Sequence, residues 1–322
     1  MQNNIIILHN RIYDYSNPDE SDVLNQVNLV SNALNELGEK PMTMDIGENP
    51  YDDIKKLKQF NPRFVFNLVE SVYEKGELTY IGAALLNSLQ IQYTGVPLDA
   101  LFITTNKVLT KKILQLHKIP TPWFYTLSQI DKLEANKKYI LKPLLEEGSV
   151  GLDEDAVFST AEIKKLEKFS ILSPSHYFIE EYIEGREFNI SILGGKEKVD
   201  VLHPAEMIFT DFPEGKPRIL GYRAKWDEES TEYKNTARSF DTLQEGTELF
   251  RDLKNICLNC WESFNLRGYA RVDFRVDKNG VPYVLEINGN PCISPDSGFI
   301  AAAHHYGVDN KVVVQRICEE LN

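Results

Sequence analysis

The chain has 322 residues, of which 42% are hydrophobic, 26% charged and 11% aromatic. At roughly 150 residues per domain, this length predicts two or three domains that bury a large core. The composition excludes disordered, collagen-like and low-complexity chains. With 35 Lys and Arg against 48 Asp and Glu, the formal net charge is −13. Such an acidic surface repels nucleic-acid backbones and anionic membranes, so we expect neither as a partner.

The sequence indicates a cytoplasmic protein with free thiols. No segment approaches the roughly 20 consecutive apolar residues of a membrane span, and the first residues lack the pattern of a secretion signal. Four cysteines are too few for a disulfide framework in so long a chain. Cys257 and Cys260 have the spacing of half a zinc site, but the apolar face of a helix explains them better.

The first hundred residues alternate short apolar strands with helices. The predicted strands are Ile5–Leu8, Met42–Ile46, Arg63–Leu68 and Ile91–Thr94. One helix is predicted to begin at Asn17-Pro18 and to end at Gly38, and another to cover Ile81–Ser88. This alternation predicts a parallel sheet covered by helices, with ligands bound beyond the carboxyl ends of the strands.

From Asn106 onward the sequence predicts compact α+β units. The predicted elements are a helix at Lys107–His117, strands at Tyr139–Leu141, Tyr177–Tyr182, Phe188–Leu193 and Val199–Phe209, and a helix at Thr247–Phe264. Two loops stand out: the glycine-containing segment Glu146–Gly151, and the long polar segment Pro213–Gln244. We expect three domains, over residues 1–104, 105–182 and 183–322.

A hairpin near the end of the chain carries the clearest chemical signal. Two strands flank Asn279-Gly280, a dipeptide typical of the two-residue type I′ turn. With that turn Asp273 lies opposite Glu286, and Leu285 points to the other, apolar face. Like charges directly opposite one another destabilise a hairpin, so the two carboxylates require a cation.

The chemistry of the hairpin favours a magnesium site. Arg271 is expected opposite Asn288, whose amide oxygen would then lie beside the two carboxylates. Hard oxygen ligands of this kind suit Mg²⁺, which also binds substrate phosphates. The alternative is a solvated strand face on which Arg271 and Arg275 neutralise the acids.

A second segment has the composition of a phosphate site. Lys142 ends a predicted strand, and the loop after it contains Gly148, Ser149 and Gly151. Glycines let backbone N–H groups approach phosphate oxygens closely. The spacing is not that of a P-loop, and an ordinary flexible turn is the alternative.

Together these segments resemble the ATP-grasp superfamily and, within it, the D-alanine–D-alanine ligases. The segments that carry the resemblance are Tyr93-Thr94-Gly95, Thr105-Asn106-Lys107 with Lys111, Lys142-Pro143, Glu147–Gly151, Glu180–Ile183, Gly185-Arg186-Glu187, Arg271–Phe274 and Glu286–Pro291. The resemblance implies an α/β protein that is α+β in its ATP-binding part. It implies an ATP-grasp fold preceded by an N-terminal parallel-sheet domain.

The resemblance also implies an ATP site. Its candidate residues are Lys107, Lys142, Ser149, Glu180, Glu181, Ile183 and Glu187. The lysines would hold the phosphates, residues 180–183 the adenine, and Glu187 the ribose. Asp273, Glu286 and Asn288 would bind two Mg²⁺ ions, with Mn²⁺ as an alternative.

Further residues have implied catalytic or substrate roles. Arg271 would stabilise the charge that develops on a tetrahedral intermediate, and Lys225 and Ser149 are the other catalytic candidates. Ser297 lies near the family's carboxylate-recognising serine. The loops that carry Ser149 and Lys225 are the candidate lids that close the site to water.

The chain departs from the family pattern around the first substrate. Where the family has His-Gly-Gly and a Glu shortly after its first strand, to bind the amino group of the first substrate, this sequence reads Leu8-His9-Asn10-Arg11, with Glu20 as a loose candidate for the Glu. A second His-Gly motif is missing near Glu70. The family's Ala-Lys-Tyr becomes Ala224-Lys225-Trp226, and an indole can only donate a hydrogen bond. We therefore expect a rebuilt substrate pocket, with Arg11, Glu70 and Trp226 as its candidate residues.

The implied activity is that of an ADP-forming carboxylate–amine ligase. A carboxylate attacks the γ-phosphorus of ATP to give an acyl phosphate, which an amine then captures. We expect small-molecule substrates, an amino acid or a small peptide rather than D-alanine, and the family suggests a homodimer. Two alternatives remain: a divergent D-alanine–D-alanine ligase, and a nucleotide-binding module without ligase activity.

Overall fold

The computed structural model describes residues 4–14, 16, 18–145, 152, 154–162 and 176–322. Asn17 and the glycine loop Glu146–Gly151, including Ser149, lie outside the described residues. None of the helices in these ranges combines the length and apolar character needed to cross a lipid bilayer.

A parallel sheet forms the centre of the N-terminal part. Its strands are β1 (Ile5–Asn10), β2 (Met42–Ile46) and β3 (Phe64–Leu68), in the order β2-β1-β3. The helices described here are α1 (Pro18–Ser21), α2 (Val23–Glu36), α3 (Pro50–Gln59), α4 (Tyr80–Ser88) and α5 (Leu98–Thr105). Every residue of β1 is buried, as expected for a strand covered on both faces. The predicted parallel sheet is confirmed.

Two predictions for this part need correction. The predicted strand Ile91–Thr94 shrinks to one parallel bridge between Val65 and Tyr93, because Gly95 turns the chain away at φ +93. The helix predicted to run from Pro18 is two helices, interrupted at Asp22.

The central part is a four-stranded antiparallel sheet next to one helix. Its elements are α6 (Lys107–Leu116), β4 (Phe124–Thr126), β5 (Lys138–Pro143), β6 (Val157–Ser159) and β7 (Tyr177–Glu181), with the strand order β4-β7-β5-β6. The Asn106 side chain caps α6 by accepting from the Leu109 amide. This cap places Lys107 at the start of the helix, beside the end of β5.

The C-terminal part contains the largest sheet. Its elements are β8 (Gly185–Leu193), β9 (Asp200–Val201), β10 (Ala205–Phe209), α7 (Tyr222–Trp226), α8 (Thr231–Lys234), β11 (Thr236–Ser239), α9 (Glu248–Ser263), β12 (Tyr269–Asp277), β13 (Pro282–Gly289), α10 (Gly298–His305) and α11 (Asn310–Cys318). The strand order is β11-β10-β8-β12-β13, and β9 pairs with β8. One sheet falls in each of the ranges 1–104, 105–182 and 183–322, and the division into three domains at these bounds stays a prediction.

Two C-terminal predictions also change. The strand predicted over Val199–Phe209 is broken into β9 and β10 before Pro204, since proline cannot donate to a sheet. The polar segment Pro213–Gln244, expected as one long loop, contains α7, α8 and β11, and β11 pairs with β10 at the sheet edge. Cys257 and Cys260 are buried on α9, as the apolar-face interpretation predicts.

The hairpin β12–β13 reaches the predicted register by a different route. Asp273 lies opposite Glu286 and Arg271 opposite Asn288, as predicted. The type I′ turn is wrong, because it needs positive φ at both central residues and only Gly280 of the two has it, at +82. Val276 pairs with Pro282, which leaves a longer turn closed by the Gly280 amide donating to the Asp277 carbonyl.

A β-bulge then restores the register. Phe274 pairs with Val284 and Asp273 with Glu286, so Leu285 is an extra residue in β13. The prediction that Leu285 faces the apolar side with Ile287 is therefore wrong. Val284 takes the buried position, and Leu285 lines a cavity beside Glu286.

The turn residue Gly280 is the first test. Because no atom lies within 4 Å of a Cβ built there, Gly280→Ala should cost only the left-handed backbone penalty, about 1 kcal/mol of unfolding free energy. Asn tolerates this conformation, so Gly280→Asn should cost less than half as much. Urea unfolding of both variants measures the difference, and equal stability of the two would contradict the left-handed assignment.

Candidate functional site

Two cavities meet at the β12–β13 hairpin. The first is a narrow slot of about 80 Å³ between the central and C-terminal sheets. The second measures about 630 Å³ and lies between the N-terminal part and the C-terminal sheet. Lys225 and Leu220 line both cavities, which therefore share part of a wall.

The first cavity combines an apolar slot with a backbone hinge. Ile140, Leu152, Ile219 and Leu285 provide apolar surface for a flat ring. At the end of β7 the Glu181 amide donates to the Trp123 carbonyl and the Tyr182 amide to the Lys138 carbonyl. None of the backbone hydrogen bonds within the described ranges uses the Ile183 amide, so it is the hinge donor available to a ligand.

Glu180 is held between two lysines inside the protein. Its side chain is 1% exposed, and its oxygens lie 2.5 Å from Lys111 Nζ and 2.9 Å from Lys142 Nζ. Burial alone would raise the pKa of Glu180, but the two lysines outweigh it and hold that pKa below its ordinary value. Burial lowers the pKa of Lys111, which is fully enclosed. Lys142, at the cavity wall, keeps its charge because Glu180 and Glu286 outweigh burial and raise its pKa.

Glu187 is anchored by an arginine from the neighbouring strand. Arg275 is its cross-strand partner, and Arg275 Nη2 lies 2.7 Å from Glu187 Oε2. Burial raises the pKa of Glu187, and Arg275 offsets part of the rise. Both side chains line the first cavity. The pair fixes a carboxylate there that can accept hydrogen bonds from hydroxyl groups.

The boundary between the cavities carries the acidic residues of the hairpin. Asp273 and Glu286 line the first cavity, while Arg271 and Asn288 line the second. Arg271 donates from Nε and Nη2 to the two oxygens of Asp273, both at 2.8 Å. The Asn288 amide donates to Asp273 at 3.2 Å, which leaves the Asn288 oxygen for another ligand.

The donor set at this boundary fits a hard divalent cation. Within the described ranges no three His, Cys, Asp or Glu side chains cluster as metal ligands. Two carboxylates completed by an amide oxygen nevertheless suit Mg²⁺, which takes few protein ligands and shares phosphate oxygens. Against the effect of burial, Lys107, Lys142 and Lys225 lower the pKa of Glu286 to about 2, so it is ionised and able to ligate.

The N-terminal wall of the second cavity is acidic. Its lining includes Glu20, Asp22, Glu70 and Glu74. Gln26, only 2% exposed, donates to Glu70 at 2.8 Å and accepts from the Ile293 amide. Cys292 donates to Asp22 at 3.1 Å. Neutral donors from both ends of the chain therefore position these carboxylates.

The other predicted residues divide into two groups. Trp226 and Ser297 line the second cavity with Glu70, and Lys107 lines the first. Ser297 also caps α10 by accepting from the Ile300 amide. The structure does not bring Arg11 into either cavity, because Arg11 forms an ion pair with Asp45 at 2.8 Å.

Sequence reasoning missed three charged residues of the site. Arg275 was considered only as a counterion on the hairpin, Lys111 only as part of a family motif, and Arg238 not at all. The alternating pattern of β12 puts Arg275 on the same face as Arg271 and Asp273, and Lys111 lies on the buried face of α6. Both residues could therefore have been found from the sequence pattern. Arg238 follows a polar stretch without periodicity, which left no sequence signal for its position.

The chain is similar to known proteins over most of its length. Residues 125–319 match the family model described as D-ala D-ala ligase C-terminus. The D-alanine–D-alanine ligase of Aquifex aeolicus is 31% identical over 89% of this chain and 91% of its own. That of Carboxydothermus hydrogenoformans is 30% identical over 88% of each. The structure of the Bacillus anthracis D-alanine–D-alanine ligase complexed with ATP matches this structure with a TM-score of 0.73 and 22% sequence identity. The match covers 98% of this chain and 96% of that chain.

The buried ion pair between Lys111 and Glu180 leads to a stability test. Lys111→Met leaves Glu180 with one cation in an enclosed position, which should lower the free energy of unfolding by about 3 kcal/mol. The neighbouring Lys112 is exposed on the same helix, so Lys112→Met should change it by less than about 0.5 kcal/mol. Chemical denaturation of both variants measures this, and equal losses would contradict a structural role for the buried pair.

Proposed function

We propose, since the chain belongs to the D-alanine–D-alanine ligase family of ATP-grasp proteins, that it is an ADP-forming carboxylate–amine ligase. Members of this family are ATP-dependent ligases that form carbon–nitrogen bonds. The acid that this chain activates is an amino acid or a small peptide, and the product contains a dipeptide-type bond.

The meeting of the two cavities carries this proposal. A ligase of this class must bring the γ-phosphorus of ATP to a carboxylate and then expose the acyl phosphate to an amine. Here Asp273 and Glu286 face one cavity, Arg271 and Asn288 face the other, and Lys225 lines both. Phosphoryl transfer at this boundary would connect a nucleotide in the first cavity with substrates in the second.

The first cavity is the proposed ATP site. The Bacillus anthracis relative is known as a complex with ATP, and the apolar slot with the Ile183 amide suits a purine ring. The Glu187 carboxylate can accept from ribose hydroxyls. Lys107 and Lys142, whose side chains are 11% and 12% exposed, lie where they can bind phosphate oxygens.

Asp273, Glu286 and Asn288 would hold magnesium, which when bound neutralises charge on the triphosphate. Side chains of the protein supply the remaining electrostatic stabilisation. Lys107, Lys142 and Lys225 surround Glu286, so they provide positive charge for the phosphoryl group. Arg271 is oriented by its two hydrogen bonds to Asp273 and can stabilise the oxyanion that forms when the amine adds.

The second cavity supports a first substrate other than D-alanine. Trp226 stands in place of the family's tyrosine, and the acidic wall contains Glu70 where the family's His-Gly motif is missing. A divergent D-alanine–D-alanine ligase is the second candidate. Glu20, which lines the same wall and loosely matches the family's amino-binding glutamate, favours it.

A phosphate-release assay separates the candidates. The protein is mixed with ATP, Mg²⁺ and pools of amino acids in either configuration, and phosphate is followed over time. Release with the pools but not with D-alanine alone supports the proposal. Release with D-alanine alone supports the second candidate. No release with any pool would indicate a nucleotide-binding module.

The hairpin acids provide the matching variant. Asp273→Asn removes a proposed metal ligand and the partner of Arg271, so phosphate release should fall about 100-fold or more. Glu262→Gln, on the exposed side of α9, is the control and should retain full activity. Far-ultraviolet circular dichroism checks that both variants fold. Full activity of Asp273→Asn would refute the role assigned to the hairpin.

A further inference from the structure

Two carboxylates on the N-terminal wall of the second cavity lie close to Cys292. The Cys292 thiol donates to Asp22 at 3.1 Å. Burial, followed by the negative charges of Glu70 and Asp22, raises the pKa of Cys292, so the thiol keeps the proton that it donates. Asp22 and Glu70 both line the cavity. Together they form an acidic patch on this wall.

Neutral donors hold the acidic patch in place. The Asn25 side-chain amide donates to Asp22 at 2.9 Å, and that of Gln26 donates to Glu70 at 2.8 Å. Asp22 forms no ion pair with any residue in the described part of the chain. A carboxylate that is partly withdrawn from water is costly unless a positive charge is near it. A cationic ligand would therefore offset a charge that neutral donors only orient.

A buried hydroxyl group next to Glu70 adds a hydrogen-bonding position. Ser71 is 8% exposed and lines the second cavity. Its side chain makes no hydrogen bond with any residue of the described ranges, although buried polar groups are normally hydrogen-bonded. A hydroxyl oxygen can accept from an N–H donor. Ser71 therefore offers an acceptor to a ligand that reaches the acidic patch.

The chemistry of the acidic patch fits an organic cation better than a metal ion. In the part of the chain that the structure describes, no three His, Cys, Asp or Glu side chains are grouped as metal ligands. Ammonium and guanidinium groups donate several hydrogen bonds to separate acceptors, and their hydrogen bonds to carboxylates are strong. Two carboxylates and a hydroxyl group are acceptors of the kind that such a group requires.

The rest of the cavity suits an amino acid with a charged side chain. Arg271 and Lys225 line the same cavity and attract a carboxylate, whereas the acidic patch attracts a positive group. The volume of about 630 Å³ lies in the range of small-molecule sites, so a long side chain fits. Glu20, the candidate partner of an α-amino group, is a separate carboxylate on this wall. The acidic patch is thus available for a second positive group.

We propose that Asp22, Glu70 and Ser71 bind a positively charged side chain on the acid substrate, so that the enzyme activates basic amino acids in preference to neutral ones. This inference rests on the proposed ligase function of the same site. The substrate class consists of amino acids whose side chain ends in an ammonium or guanidinium group, such as lysine, ornithine and arginine. An α-amino group cannot give this selectivity, because every amino acid carries one.

Competition between arginine and citrulline tests the proposal. Their side chains have similar lengths, but only that of arginine is charged. Both are supplied at equal concentration, in both configurations, with ATP, Mg²⁺ and a pool of the other proteinogenic amino acids. Tandem mass spectrometry of the dipeptides shows which amino acid supplied the carbonyl group. Since competing substrates divide by the ratio of their kcat/KM values, wild type should use arginine at least about 10-fold more than citrulline. Equal use would overturn the proposal.

Glu70→Gln and Asp22→Asn remove one charge each from the acidic patch. Each variant should lower the arginine-to-citrulline ratio about 10-fold, and Ser71→Ala about 3-fold. Glu36→Gln, at the exposed end of α2, is the control and should keep the wild-type ratio. If Glu70→Gln loses both products equally, Glu70 binds the α-amino group and the proposal fails. An unchanged ratio in both charge variants would also refute it.

A binding measurement keeps this inference separate from the ligase function. Isothermal titration calorimetry compares arginine with citrulline on wild type and on Glu70→Gln, without ATP. Should wild type release no phosphate with any pool, the ligase function fails, and the titration still decides the role of the acidic patch. Tighter binding of arginine than of citrulline by wild type, reduced in the variant, supports the patch, and any other result would reject it. Urea unfolding of both proteins excludes a folding defect.

Discussion

Two carboxylates on neighbouring strands are the constraint that organises the site. Asp273 and Glu286 face each other across β12 and β13, where like charges disfavour pairing. The protein opposes this repulsion with separate cations: Arg271 binds Asp273, and Lys107 lies 3.8 Å from Glu286. These cations come from the hairpin itself and from the start of α6. The position of α6 against the C-terminal sheet is thus linked to the charge balance of one hairpin.

The hairpin also shows what sequence pattern can and cannot predict. The register derived from a two-residue turn holds beyond the bulge, where Asp273 opposes Glu286 and Arg271 opposes Asn288, and the burial of Val272 and Ile287 favours it. The turn type was wrong, and the error was cancelled by the bulge at Leu285. A bulge depends on contacts from elsewhere in the chain. Here the Val284 amide donates to the Pro120 carbonyl. The pattern of residues 269–289 alone cannot predict a contact with a residue so far away in the chain.

The rest of the site also contains some residues whose positions were predictable and others whose positions were not. Lys142, Glu180 and Glu187 line the first cavity. The predicted strand end indicated Lys142, whereas only the family resemblance indicated Glu180 and Glu187. Arg11 follows a well-predicted strand, yet Asp45 at the end of the neighbouring strand binds it. Arg238 lies in a polar segment whose strand forms only by pairing with β10. Tertiary pairing, rather than local propensity, determines both outcomes.

The contrast between the two cavities follows from their chemistry. Under the proposed function the first cavity holds a triphosphate, which presents the same charges whichever substrates are joined, and the lysines and hairpin acids of this cavity match the family pattern. Under the same proposal the second cavity recognises the substrates, whose charge and shape differ between ligases. Its walls come from segments that depart from that pattern: the N-terminal strand ends with Glu70, and the polar segment with Trp226 and Arg238. Acid groups line one wall of the second cavity, Arg238 and Arg271 line another part of it, and Lys225 lines both cavities at their boundary.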